Sequence, residues 1–324
     1  MRDRRRTWWR WLRVALAVAI VGGVGWQFAR LLAQPELWNR PWRLRPGWLA
    51  ACVGCYLAGL ACWGAFWLRL LHRVGLRTPV GAAFRAYYVS HLGKYVPGKA
   101  WAIVMRATLL PCVRPGTAAL TAAYETLTTM AAGALIAAGV IPWLLAGQES
   151  LGAQALGLLA LAGLPLLPGV FNAVIARVAR PFVDPADPLP RVRWTALPEG
   201  LAITAVGWAW LGMSVLALVQ ALIPDAPAPS PGFAARCLAF NALSYVAGFL
   251  ALPAPGGLGV REAIFQQLLA AELRATHPEG QVAAGLAALA VVVLRLVWTA
   301  ADLLAAAVAY ARPARPEGQP CSPS

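Results

Sequence analysis

Lysine is almost absent from this chain of 324 residues. Only two of the 28 basic residues are lysine, and the others are arginine. Charged residues of both signs make up 13% of the sequence, whereas 60% of the residues are hydrophobic. Because a soluble globular domain carries about a quarter of its residues as charges, this composition excludes that class of protein and indicates a polytopic membrane protein.

Signatures of known catalytic sites are also missing. The sequence contains no G-x-S-x-G, no H-E-x-x-H and no Walker phosphate-binding loop, and its three histidines are scattered. Cys52, Cys55 and Cys62 lie in one apolar run without the second ligand pair of a zinc site, so we interpret them as small packing residues of a membrane helix. We therefore expect no catalytic residues, no metal and no cofactor, and the sequence favours a transporter over an enzyme.

The net charge of +15 has a membrane explanation. The arginines cluster at the ends of apolar runs, which is the positive-inside pattern and not a nucleic-acid surface. We expect them to contact anionic lipid headgroups. We expect the basic segment 1–13 in the cytoplasm, a retained first span in place of a cleaved signal peptide, and a location in a bacterial inner membrane.

Several apolar runs approach or exceed the 20 or so residues that a membrane-spanning helix needs, so we predict an all-α helix bundle. The predicted spans are 14–33, 48–71, 117–146, 151–176, 199–223, 232–252 and 281–310. They form one transmembrane domain over residues 14–311, which is followed by a polar tail at 312–324.

Residues 82–112 and 253–273 do not have the character of simple spans. They are too apolar for free loops and too charged for lipid-facing helices, so we predict broken, re-entrant segments that are buried in protein or line a cavity. If they cross the membrane completely, the number of spans rises from seven to eight or nine.

These two stretches also resemble each other. "YYVSHLGKYVPGKAWAIVMRATLL" and "LSYVAGFLALPAPGGLGVREAIFQQLL" share Tyr-Val, an apolar stretch, Pro-Gly and then an arginine. Matching interrupted segments in two halves of a chain indicate inverted repeats with a transport site between them. Two unrelated Pro-Gly turns at helix ends are the alternative.

Lys94 and Lys99 flank a Pro-Gly turn, and they are the two lysines of the chain. Lysine binds phosphate as a compact point charge, and glycine lets the backbone approach a ligand closely. A sequence that otherwise uses arginine has lysine twice within this loop. We favour a phosphate-binding loop over a pair of ordinary interfacial lysines.

Further charges lie within apolar segments, where each costs roughly 2.5–3.5 kcal/mol at the bilayer centre. Glu125, Arg295 and Asp302 should therefore face the bundle interior, with Glu125–Arg295 as one possible pair and Arg295–Asp302, through other groups, as another. Glu262 either caps its own helix or pairs with one of the basic residues Lys94, Lys99 and Arg106.

The segment "SHLGKYVPGKAW", followed by an arginine, together with "PGGLGVREA", resembles the membrane domain of the lysylphosphatidylglycerol synthases, which is also found in stand-alone flippase-like proteins. The similarity extends over about residues 10–312. It implies a membrane domain that moves lipid between leaflets. The chain ends just after its last span, so we expect no aminoacyltransferase domain and no synthesis of aminoacylated lipid by this chain alone. The positions that match the family's motifs are Gly93, Lys94, Pro97, Gly98, Lys99, Arg106, Pro255, Gly256, Gly257, Gly259, Arg261 and Glu262.

The functional hypothesis is translocation of a lipid whose headgroup binds in a central cavity where the two broken segments meet, with alternating access of two halves. Lys94, Lys99 and Arg106 would hold the phosphate, and Glu262, with Glu125, would balance their charge. The resemblance implies an anionic phospholipid, an aminoacylated lipid or an isoprenoid-linked lipid as cargo, and a synthase or glycosyltransferase as a possible partner. The alternatives are a membrane-embedded lipid or polyprenyl-phosphate transferase and an accessory subunit of a lipid-modifying enzyme or glycosyltransferase.

Overall fold

A computed structural model describes most of the chain, and the described part is helical. Its residues are 22, 26, 28–33, 44–95, 101–110, 113–144, 166–179, 189–223, 225–251 and 259–311. The helices in it are α1 (Pro46–Arg73), α2 (Val80–His91), α3 (Trp101–Leu109), α4 (Pro115–Leu144), α5 (Pro168–Ala179), α6 (Ala196–Leu222), α7 (Pro231–Leu250), α8 (Val260–Leu273) and α9 (Gly280–Ala311), with a 3₁₀ turn at Leu92–Tyr95. No β-strand occurs in these ranges, and the prediction of an all-α fold is confirmed.

Four helices of the described part are long and apolar enough to cross a membrane, namely α1, α6, α7 and α9. Their ends agree to within three residues with the spans predicted at 48–71, 199–223, 232–252 and 281–310. Helix α4 occupies the span predicted at 117–146 as far as Leu144. Most of the spans predicted at 14–33 and 151–176 lies outside the described residues, so the total of seven to nine crossings stays a prediction.

The stretch 82–112 is a broken helix. Helix α2 ends at His91, the 3₁₀ turn follows directly, and α3 begins at Trp101 and packs against α2. At 1.5 Å per residue these helices are about 18 Å and 14 Å long, well short of the hydrocarbon thickness of about 30 Å. Neither helix is long enough to cross a membrane on its own, and the re-entrant course of this segment stays a prediction.

Of the stretch 253–273, the structure describes one helix, which follows the long helix α7. Helix α7 ends at Leu250, and α8, which is about 21 Å long, begins at Val260 and packs against α7. Residues 96–100 and 252–258, which join the helices of the two pairs, lie outside the described residues. In both regions of the chain, two packed helices therefore stand on either side of a Pro-Gly sequence.

The chain divides into two compact units. Unit 1 consists of Met1–Cys55 and Leu211–Trp298, and unit 2 consists of Tyr56–Trp210 and Thr299–Ser324. Unit 1 contains the pair α7 and α8, and unit 2 contains the pair α2 and α3. Each unit thus includes one of the two stretches whose sequences resemble each other.

Small and hydroxyl residues hold the helices of unit 1 together. The Ser214 hydroxyl donates to the carbonyl of Cys52 at 2.8 Å and accepts from the Trp298 indole N–H at 3.0 Å. A Cβ on Gly212 would lie 2.7 Å from the Cβ of Leu238, so α6 and α7 approach closely at this glycine. Such packing is typical of helices in membranes, and it explains Cys52 as the packing residue that the sequence analysis predicted.

Aromatic residues fill the interior of unit 2. Trp63 and Trp208 form an edge-to-face pair with ring centroids 5.2 Å apart, and the Trp208 indole N–H donates to the Thr129 carbonyl at 2.8 Å. Tyr124 packs edge-to-face on Phe171, with centroids 4.9 Å apart. These contacts hold α1, α4, α5 and α6 against one another. Two of these helices also carry residues of the charged clusters described below.

Candidate functional site

Lys94 forms the first charged cluster, in the 3₁₀ turn of the broken segment. Its Nζ lies 2.6 Å from Oδ2 of Asp302 on α9. The Lys94 side chain is 24% exposed, whereas the Asp302 side chain is 1% exposed. Because an unpaired charge is costly at membrane depth, the ion pair explains how Asp302 is tolerated inside an apolar helix.

Two tyrosines complete the surroundings of Asp302. The Tyr56 hydroxyl donates to Oδ1 at 2.7 Å, and the Tyr95 hydroxyl donates to Oδ2 at 2.7 Å. Lys94 Nζ also donates to the Tyr56 oxygen at 3.0 Å. His91 Nε2 lies 3.9 Å from Oδ1. Both carboxylate oxygens therefore have a neutral O–H donor in addition to the lysine, and we call Lys94, Asp302, Tyr56 and Tyr95 the lysine cluster.

Arg106 on α3 forms a second and deeper cluster. Its Nη1 lies 2.6 Å from Oε2 of Glu125 on α4, and the two side chains are 5% and 3% exposed. Its Nε donates to the Ser90 hydroxyl at 3.0 Å. Glu125 also accepts from the Thr129 hydroxyl at 3.2 Å. A buried carboxylate and guanidinium with this many hydrogen bonds form a satisfied structural pair.

Aromatic faces enclose the guanidinium of Arg106. Its Cζ lies 4.3 Å from the ring centroid of Tyr87 and 5.2 Å from that of Trp67. Cation–π contacts of this kind strengthen when they are desolvated. The stacking and the Glu125 pair together fix α3 against α1, α2 and α4.

Arg261, at the start of α8 in unit 1, has closely similar surroundings. Its Cζ lies 4.1 Å from the ring centroid of Tyr245 on α7 and 5.2 Å from that of Trp298 on α9. Its Nη2 lies 3.5 Å from Oδ1 of Asn241. In both units, the arginine after the Pro-Gly sequence therefore contacts a tyrosine of the preceding helix and a tryptophan of a long helix.

Glu262 has two roles in unit 1. Its Oε2 accepts the backbone N–H of Gly259 at 2.8 Å, which caps the start of α8, as the capping alternative predicted. Gly259 has φ of 87°, a conformation that favours glycine. The Oε1 of Glu262 lies 3.8 Å from Nε of Arg295 on α9.

The structure corrects the ion pairs that were considered from the sequence. Lys94 pairs with Asp302, Arg106 pairs with Glu125, and Arg295 lies next to Glu262. The sequence-based candidates were Lys94, Lys99 or Arg106 as partner of Glu262, and Glu125 or Asp302 as partner of Arg295. Lys99 lies outside the described residues, so its pairing stays a prediction. Periodicity shows which face of a helix is charged, but it does not show which helices are neighbours, and these pairs depend on the neighbours.

Of the remaining predicted residues, the structure describes Gly93 and does not describe the other six. Gly93 lies in the 3₁₀ turn against α3, where a Cβ would lie 2.7 Å from the backbone nitrogen of Ala102. The predicted residues outside the described part of the chain are Pro97, Gly98, Lys99, Pro255, Gly256 and Gly257.

Sequence reasoning missed several uncharged residues that surround the charged groups. Tyr56, Tyr95, Asn241 and Trp298 contact the charged groups but carry no charge themselves. One available signal was the amide of Asn241 within the apolar run "CLAFNALSYV", because polar side chains in membrane helices usually contact other helices.

Comparison with known proteins gives one family. A search of curated proteins finds no match. The sequence model of the family described as "Lysylphosphatidylglycerol synthase TM region" matches residues 14–306, a range that includes both broken segments and both charged clusters. With its apolar helices, this chain is a multi-pass integral membrane protein and a member of the lysylphosphatidylglycerol synthase transmembrane-region family.

Proposed function

We propose that this protein moves phospholipids between the two leaflets of the membrane and that the ammonium of Lys94 binds the headgroup phosphate. Family membership supports a lipid-related function. The observation that carries the proposal is the lysine cluster, in which a partly exposed cation of a broken helix pairs with a buried carboxylate. Ionisable groups at such positions in membrane proteins are usually functional.

The geometry favours an exchange of partners at Lys94. An incoming phosphate competes with the Asp302 carboxylate for the ammonium, which is the more accessible group of the pair. When Lys94 turns to the phosphate, Asp302 keeps the hydroxyl donors Tyr56 and Tyr95. The buried carboxylate therefore stays hydrogen-bonded, which lowers the cost of separating the ion pair.

Arg106 has a different role in this proposal. Its guanidinium is buried, paired with Glu125 and stacked on Tyr87, so it positions α3 and does not contact the phosphate. Lys99 remains a proposed second phosphate contact on the evidence of its sequence position. In this proposal, Lys94 and Lys99 form the headgroup site of unit 2, and the buried Arg106 holds their segment in place.

Leaflet exchange in proteoliposomes tests the proposal. The purified protein is reconstituted with fluorescent phospholipids of different headgroups, and an external quencher reports the lipid in the outer leaflet. The wild type should exchange lipid faster than protein-free vesicles, and Lys94→Gln should reduce the added rate at least about tenfold, which corresponds to about 1.4 kcal/mol.

Arg236→Gln is the matched control for this experiment. Arg236 is 26% exposed and forms an ion pair with Glu272 at 2.8 Å, so the change removes a comparable charge outside the lysine cluster. It should leave exchange unchanged. Exchange by Lys94→Gln at the wild-type rate would refute the assignment of Lys94, and a wild type without exchange for any headgroup would refute translocation.

A further inference from the structure

A small pocket in unit 1 contains an unusual set of polar groups. It is partly open and lies among α7, α8 and α9; its cavity volume is about 20 Å³, within a space of about 280 Å³ that includes open solvent. Its polar lining residues are Asn241, Arg261, Glu262 and Arg295, and its apolar ones include Phe265 and Trp298. Two guanidinium groups, one amide and one carboxylate therefore face a single small volume.

Asn241 supplies the observation that points to a ligand. The residue is 1% exposed, and its Nδ2 has no hydrogen-bond partner among the residues that the structure describes. Its Oδ1 lies 3.5 Å from Arg261 Nη2, which orients the amide so that its oxygen faces the arginine. A buried donor without a partner is destabilising, so an acceptor in the pocket would remove that penalty.

Stacking orients the first arginine of the pocket. Tyr245 and Trp298 contact the guanidinium of Arg261 through their ring faces. The N–H groups of a guanidinium point outward in its plane, so stacking does not occupy them. The aromatic rings therefore fix the plane in which Arg261 donates hydrogen bonds.

The second arginine supplies charge. Arg295 Nε lies 3.8 Å from Oε1 of Glu262, which is longer than a direct hydrogen bond of 2.7–3.2 Å. Glu262 is held at the start of α8 by its bond to Gly259. Two guanidinium groups and one carboxylate give the pocket a formal charge of +1, which matches a ligand with one negative charge.

We propose that this pocket is an anion site for a phosphate group, with Asn241 Nδ2 and Arg261 donating hydrogen bonds to its oxygens and Arg295 adding attraction. A phosphodiester carries the single charge that the pocket matches, and a lipid headgroup or a free phosphate can supply the chemistry. The assignment of a lipid headgroup rests on the proposed function, but anion binding by the pocket does not.

Equilibrium binding to the full chain tests this site. The protein is purified in a maltoside detergent, which contains no phosphate, and binding of radiolabelled short-chain phosphatidylglycerol is measured. Inorganic phosphate is added as a competitor, and diacylglycerol with the same acyl chains is the ligand without a phosphate. Asn241→Asp replaces the amide donor with a negatively charged carboxylate, and Arg261→Gln removes the stacked guanidinium. Arg236→Gln is the matched control.

We expect saturable binding of phosphatidylglycerol that Asn241→Asp and Arg261→Gln each weaken at least about tenfold, with Arg236→Gln unchanged. Competition by inorganic phosphate would identify a site for free phosphate, and its failure to compete would identify the lipid headgroup. Equal displacement by diacylglycerol, or wild-type affinity in both pocket variants, would overturn the proposal. If one pocket variant does not fold, the other decides.

The result is independent of translocation. Lys94→Gln protein should bind phosphatidylglycerol at this pocket with less than about a twofold change in affinity. A protein that exchanges lipid but binds no phosphate in the pocket would contradict only the second site. A protein that binds at the pocket but exchanges no lipid would contradict only the proposed function.

Discussion

The Nζ of Lys94 lies 2.6 Å from Oδ2 of Asp302, so the 3₁₀ turn of a broken helix is tied to the last described helix of the chain by one ion pair. The lysine is partly exposed and the aspartate is buried. Because of this asymmetry, the accessible cation can change partner while the buried carboxylate stays in place.

The pair should show strong coupling in a double-mutant cycle. Lys94→Gln and Asp302→Asn each leave one charge without its partner, so each should lower the thermal stability of the purified protein. The double variant should be more stable than the sum of the single losses predicts, with a coupling energy of about 1–3 kcal/mol. Additive losses would show that the two groups do not stabilise each other.

The tyrosine hydroxyls should affect exchange more than folding. Tyr56→Phe and Tyr95→Phe each remove one donor to Asp302, so each should slow lipid exchange several-fold and lower stability by only about 1 kcal/mol. The double change should slow exchange further. Tyr124→Phe is the control, because the Tyr124 hydroxyl bonds a backbone carbonyl at 3.4 Å outside the lysine cluster. An equal effect of the control on exchange would contradict the role of the hydroxyls.

Arg106 should be a stability residue. Arg106→Gln leaves Glu125 buried without its charged partner, so it should destabilise the protein by about 3–5 kcal/mol. The double change Arg106→Met with Glu125→Leu removes both charges and should recover most of that loss. Thermal unfolding in detergent measures both variants. A double variant as unstable as the single one would show that the charges themselves are not the cause.

Gly93 should be intolerant of any side chain. Gly93→Ala places a Cβ 2.7 Å from the Ala102 nitrogen, and backbone cannot move aside as a flexible side chain can. The variant should lose about 1–3 kcal/mol of stability. It should also slow lipid exchange, because the next residue is Lys94 of the lysine cluster. Gly81→Ala, where the Cβ meets open space, is the matched control. Similar stability of the two variants would contradict the close packing of the 3₁₀ turn on α3.

The sequence was sufficient for four of the spans and for the interruption between α2 and α3. Runs such as those of α1 and α9 are apolar over more than the membrane thickness, so composition alone sets their limits to within a few residues. Pro-Gly sequences and charges marked the segments around Lys94 and Arg261 as exceptions. These are local properties, and local properties can be derived from one chain.

The pairing of charges could not be derived in the same way. Asp302 and Lys94 are distant in the sequence, and neither segment contains a signal that α9 lies next to the 3₁₀ turn. The same limit applies to Glu125, whose partner on α3 follows from helix packing. Asn241 carries no charge at all, and its importance became visible only because its Nδ2 has no partner among the described residues and lines a pocket with two arginines.

The similar surroundings of Arg106 and Arg261 support the internal repeat. Each arginine follows a Pro-Gly sequence and lies at nearly the same distances from one tyrosine and one tryptophan. Two unrelated turns would not be expected to share this arrangement. Whether the repeats are inverted in the membrane stays a prediction that sided labelling of single cysteines in the two segments would test.

The most direct test of the account is lipid exchange by Lys94→Arg and Lys94→Gln, measured together in vesicles of the same composition and protein content. If the charge at this position holds the headgroup phosphate, Lys94→Arg keeps a substantial part of the wild-type rate and Lys94→Gln falls to the rate of protein-free vesicles. Equal rates for the wild type and Lys94→Gln, with both proteins folded, would contradict the account.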